Sequence, residues 1–179
     1  MANPPPFTPL NFKKWIDEHR HLLKPPVGNQ VVYEDTEFII MVVGGPNTRT
    51  DYHVDPAEEF FYQLEGHMVL KCVDDSKDGK ERFVDVTIDE GDIFLLPANV
   101  PHSPQRFENT VGLVVERKRN ADEIDGLRWY CDDCGDVVYE ETFHLEDIVK
   151  DLPPVFDRFY SQEDNRTCPS CGWVHAERS

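Results

Sequence analysis

Short runs of Val, Ile and Phe, cut apart by Gly, Pro, Asn and Asp, occupy most of residues 30–118 and leave few architectures open to the chain. The runs span 30–34, 37–44, 59–65, 67–73, 82–88, 92–96 and 112–118, with a hairpin-type turn at Lys77-Asp-Gly-Lys80. Connections of this length cannot hold the crossover helices of a parallel sheet, so the expectation is a mainly β fold, an antiparallel sandwich or barrel. Ahead of it, Phe12, Trp15, Ile16, His19 and Leu22 fall near helical spacing behind a capping Asn11, and Pro25-Pro26 ends that helix. After Lys118 the texture changes to a polar linker over 119–126. A short helix is expected at 145–150, a break at Pro153-Pro154 and a second helix at 156–160. The division is therefore 1–118, N-terminal helix and barrel, and 119–179, linker and extension.

The extension carries the least ambiguous motif. Cys131-Asp-Asp-Cys134-Gly and Cys168-Pro-Ser-Cys171-Gly are two Cys-x-x-Cys knuckles, and each Gly permits the turn that aims both sulfurs at one ion. Cys131, Cys134, Cys168 and Cys171 together suit a tetrahedral metal, either Zn or Fe, and a full thiolate shell leaves no open position, so the role is structural. Disulfides are disfavoured because nothing at the start of the chain reads as an export signal, which gives the expectation of a cytoplasmic protein. The fifth cysteine, Cys72, sits alone in a strand and reads as core.

Charge removes further classes. With 18 Lys and Arg against 35 Asp and Glu, the net charge is −17, which excludes a nucleic acid partner or an anionic membrane held by basic residues. Most of the seven histidines read as surface or capping residues, namely His19, His21, His67, His144 and His175. His53 and His102 differ. Glu59 follows His53 by six residues and opens an apolar strand, so its carboxylate can enter a barrel under His53 on the preceding loop, and His102 comes from a neighbouring strand. Glu58 competes, but the pleat sends adjacent side chains to opposite faces. Two imidazoles and one carboxylate with free positions opposite form the facial triad of non-haem Fe(II) oxygenases.

The stretch with His53, Glu59 and Gly66, followed by Gly91, Pro97 and His102, resembles the two cupin motifs. Asp51 stands where many cupins have another His, which leaves three ligands. The words Arg49-Thr-Asp-Tyr-His53, Pro56-Ala-Glu-Glu-Phe-Phe-Tyr62 and Pro101-His-Ser-Pro-Gln-Arg106, joined to the Cys pairs, resemble the 3-hydroxyanthranilate 3,4-dioxygenase family in its bacterial and fungal form. The resemblance implies a jelly-roll-like cupin barrel with a small C-terminal metal-binding extension. It also implies Fe(II) on His53, Glu59 and His102, a second divalent metal on the four cysteines, and substrate contacts from Arg49, Arg106 and Glu116, with Val27 and Asn29 on a nearby loop. The implied reaction is extradiol-type cleavage of 3-hydroxyanthranilate by O2 to 2-amino-3-carboxymuconate semialdehyde, the precursor of quinolinate in NAD synthesis from tryptophan, the kynurenine pathway. Arg106 would take the substrate carboxylate, Arg49 would lie near O2 and substrate, and Glu116 would help remove a substrate proton. The exposed sheet of such a barrel suits a homodimer. Two other readings stand beside this one: a cupin metalloenzyme for another small anionic substrate, and a non-catalytic ligand-binding sensor.

Overall fold

The computed structural model describes residues 3–5, 7–25 and 28–177. Val27 lies outside them. Helix α1, Phe12–His19, begins where Asn11 accepts the Lys14 N–H at 3.0 Å, which satisfies one of the free donors of the first turn. Among the described residues eleven strands follow: β1 Asn29–Val31, β2 Phe38–Gly44, β3 Tyr52–Val54, β4 Glu59–Glu65, β5 Met68–Val73, β6 Phe83–Ile88, β7 Ile93–Leu96, β8 His102–Arg106, β9 Val111–Arg117, β10 Asp125–Tyr130 and β11 Val137–Phe143. Helices α2, Ile148–Ser161, and α3, Glu163–Arg166, complete the chain.

The strands form two antiparallel sheets, ordered β1-β2-β9-β4-β7 and β11-β10-β3-β8-β5-β6. Alternation along each strand sends one set of side chains between the sheets. There Met41, Phe61, Met68, Leu70, Ile88, Leu96 and Val114 make the barrel core. Trp15 and Ile16 of α1 cover the outer face of the first sheet over Val42 and Val111. Cys72 is buried in β5, between β6 and β8, so its core reading stands. No helix among the described residues is long and apolar enough to cross a membrane.

Three strands were not expected, and a fourth, the one carrying His102, was expected without bounds. Tyr52–Val54 and His102–Arg106 are too short or too polar to show a strand period, and the latter contains Pro104; both are held by neighbours in the second sheet. His53 therefore sits on a strand and not on a loop. Asp125–Tyr130 and Val137–Phe143 add to the same sheet beside β3, so pairing begins at Asp125, inside the stretch read as linker.

The expected break at Pro153-Pro154 is absent, and α2 runs through both prolines. Proline removes two backbone donors, but its fixed φ is compatible with a helix. Burial outweighs the loss here: Val155 and Phe159 pack on Leu127 and Trp129, with the Trp129 and Phe159 rings stacked at 4.1 Å. Trp129 is fully buried. Trp129→Ala should destabilise the metal-loaded protein by about 3–5 kcal/mol, read by equilibrium urea unfolding.

Candidate metal centre and substrate pocket

Pairing register builds the first part of the site. His53 on β3 stands directly opposite His102 on β8, so both imidazoles leave the sheet on one face, with ring centroids 5.5 Å apart. Glu59 opens β4 in the facing sheet and points inward with Phe61 and Gln63, while Glu58 is exposed, as the pleat requires. Glu59 Oε1 lies 3.0 Å from His102 Nε2 and 3.5 Å from His53 Nδ1.

The outer ring nitrogens decide what the inner ones can do. His102 Nδ1 is 3.0 Å from the carbonyl of Val100 and His53 Nε2 is 2.8 Å from Asp125 Oδ1, so each outer nitrogen donates its proton away from the centre. His102 Nε2 and His53 Nδ1 then present lone pairs to a carboxylate oxygen that is buried and has no hydrogen-bond partner among the described residues. Three acceptors within 4.8 Å of one another call for a cation. The electrostatics register the same demand for positive charge: with no cation in place, His53 takes up a proton instead. Burial works against a charged His53, but Asp125 and Glu59 outweigh it and push its pKa up to about 10. Burial also opposes the Glu59 charge, yet His102 and His53 hold its pKa well below the usual range. The donor set fits a divalent metal with nitrogen and oxygen ligands.

Two arginines face the same interior. Arg106 closes β8 on the His102 face and is 4% exposed, and its Nη1 is buried without a hydrogen-bond partner among the described residues. It fits because residue 112 is glycine: a Cβ there would sit 2.5 Å from Nη1. Burial lowers its pKa to about 10, with Arg49 adding to the effect and Glu59 opposing it. It remains charged at neutral pH, and a buried cation with a free donor is a receptor for an anion. Arg49 donates to Asp51, with Nη2 to Oδ2 at 2.5 Å. Burial works against its charge, but Asp51 holds it in place. Asp51, at the position of a fourth ligand in other cupins, therefore serves an arginine. Asn29, at the start of β1, is half-buried.

The remaining sequence-derived residue, Glu116 on β9, is buried and bound by a group that the sequence did not reveal. Arg119, read as part of the linker, has a side chain only 1% exposed. Its Nη1 donates to Glu116 Oε2 at 2.8 Å and its Nε to Asp125 at 2.9 Å, while its Nη2 pairs with Asp55 Oδ2 at 2.8 Å. One guanidinium thus ties Glu116 to Asp125, the partner of His53. Burial, with Glu59 nearby, raises the Asp55 pKa to about 8 against the pull of Arg119, which limits the negative charge gathered there. A signal was present in the sequence for the strand alone: Leu127 and Trp129 alternate with Arg128, whereas Arg119 closes the basic run Arg117-Lys118-Arg119 and reads as solvent-facing.

The four cysteines meet at the far end of β10. Their sulfurs lie within 4.8 Å of one another, with Cys131–Cys171 at 3.5 Å and Cys134–Cys168 at 3.6 Å, and none is in a disulfide. Gly135 and Gly172 take φ of 82° and 81°, and their N–H groups donate to Cys131 and Cys168 carbonyls at 2.9 Å each. The two knuckles are thus the same turn used twice. Cys72 is not part of this group.

With this geometry in view, comparison with known proteins places the chain. The family model described as 3-hydroxyanthranilic acid dioxygenase matches residues 5–160. The chain belongs to that family. A 3-hydroxyanthranilate 3,4-dioxygenase of Jannaschia sp. (strain CCS1) is 60% identical over 167 residues, 93% of this chain and 90% of that protein. One from Ruegeria pomeroyi is 58% identical over the same shares of each. Among solved structures, a cupin-2 domain protein from Shewanella frigidimarina aligns with a TM-score of 0.45 at 17% identity, over 60% of this chain and 93% of that one. Two outcomes follow for a 3-hydroxyanthranilic acid dioxygenase built this way. Asp125→Asn should weaken metal binding at the barrel centre about 10–100-fold, measured by chelator competition. Cys168→Ser should remove one metal equivalent per chain and lower the unfolding temperature, measured on one sample by metal analysis and calorimetry.

Proposed function

We propose that the barrel centre cleaves the ring of 3-hydroxyanthranilate with O2 at a ferrous ion held by His53, Glu59 and His102, yielding 2-amino-3-carboxymuconate semialdehyde. That product closes to quinolinate and feeds NAD synthesis from tryptophan. The observation that carries the reading is the unpartnered buried Nη1 of Arg106, on the same face of β8 as His102 in the converging set His53, Glu59 and His102, in a chain 60% identical to a protein of that name.

Iron at this centre supplies chelation for the adjacent hydroxyl and amine of the substrate and an electron path between substrate and O2. The chain does the rest. Arg106 binds the ring carboxylate through its free donor and fixes the ring in register. Arg49, immobilised by Asp51, would keep a second positive charge close to Glu59 and Glu116, near O2 and substrate. Glu116, with Oε2 held by Arg119, would take the substrate hydroxyl proton on Oε1. Phe61, Leu96 and Val114 keep the interior apolar, which strengthens each of these charges. The four-cysteine site holds a structural Zn or Fe and takes no part in the chemistry.

The test is oxygen uptake by ferrous-reconstituted protein given 3-hydroxyanthranilate, with near-ultraviolet absorbance followed in parallel. One O2 should be consumed per substrate, and His53→Ala should abolish both signals. Arg106→Ala should lower kcat/KM by about 2 kcal/mol, roughly 30-fold, mostly through KM for the substrate. Absence of uptake with barrel iron confirmed would overturn the substrate assignment and leave the metal centre standing.

A further inference from the structure

One margin of the barrel, where an edge strand of each sheet lies, holds a cleft. Strand β7 ends the first sheet and β6 ends the second, and between these edges opens a cleft of about 330 Å³. Val84 and Val86 of β6 and Phe94 and Leu96 of β7 face each other across it, with Cys72 and Val100 deeper in. The side chains are apolar, and the one thiol is turned to the Leu70 carbonyl at 3.8 Å. Leu96 pairs with Glu59 and Cys72 pairs with His102. The inner wall of the cleft is therefore made of the immediate sheet neighbours of two metal ligands.

We propose that this cleft is a binding and entry site for dioxygen, separate from the approach of the aromatic acid; this rests on the reading of the centre as O2-consuming. Two features select the occupant. The cleft's lining carries no cation to receive a carboxylate: its polar members are Asn99, Asp74 and Asp75, and the two acids pair with Lys77 at 3.5 Å and Arg82 at 2.7 Å. The unpartnered guanidinium lies elsewhere, since Arg106 pairs with Met68, four residues and about 13 Å along β8 from the His102–Cys72 pair. An anionic ring is drawn to that end, whereas a small neutral apolar molecule partitions from water into the valine-lined margin. O2 is the one reactant of that class. Supply through this margin lets it reach the metal while the substrate fills the arginine side.

Xenon occupies apolar cavities that admit O2, so crystals of the metal-loaded protein pressurised with xenon should show it between Val86 and Phe94. In solution, Val86→Trp should raise KM for O2 several-fold, with KM for 3-hydroxyanthranilate and ferrous affinity by chelator competition unchanged. Should that variant not fold, Val84→Phe narrows the same wall at the outer margin. No xenon in the cleft, or an unchanged KM for O2 in a folded variant, overturns the proposal. A wild-type protein that takes up no O2 overturns the ring-cleavage reading instead, and the xenon result then judges the cleft on its own.

Discussion

Three electron-pair donors aimed at one point are unstable company without a cation, and the barrel is arranged to make that company unavoidable. The carbonyl of Val100 and the carboxylate of Asp125 take the outer protons of His102 and His53, and Glu59 is brought against the inner nitrogens from the opposite sheet. Each ligand comes from a different strand, so the centre exists only when β3, β4 and β8 are in register. Positive charge has to enter the barrel here, and burial of the three side chains makes the demand stronger than it would be in water.

The same logic runs outward through arginines of opposite character. Arg119 is saturated: its donors meet three carboxylates, and its task is to hold Glu116 and, through Asp125, His53 in fixed positions. Arg106 keeps one unsatisfied donor, Nη1, in the space left by the missing side chain at Gly112, and Gln63 Oε1 beside that space is unpartnered among the described residues too. A protein of net charge −17 cannot attract an anion at long range, so this local deficit has to do it. Saturated cations fix geometry, and the unsaturated one recognises.

The barrel was legible wherever an alternating run carried its own period, which is why β2, β4, β5, β6, β7 and β9 lie where composition placed them. It was not legible where pairing is imposed from outside: β3 is three residues long, and β8 includes Pro104. The convergence of His53, Glu59 and His102 was readable because imidazole and carboxylate at that spacing have few other uses. Arg119 and Asp125 escaped because charged residues after a strand are usually solvent-facing, and only the fold reveals their burial. The prolines of α2 misled for the converse reason, since a local breaker was outweighed by the buried contacts of Val155 and Phe159.

Strand β10 gives the extension a further meaning. Its first residue, Asp125, grips His53, and the residue after its last, Cys131, is a member of the four-thiolate cluster. A span of six residues, about 20 Å, thus acts as a splint between the two sites. Fraying that begins at the cysteine end, as in reduced metal supply or thiol oxidation, would work along the splint and slacken the grip on the barrel histidine. The tail can thereby tie the competence of the barrel to the thiol and metal status of its surroundings without contributing an atom to the reaction.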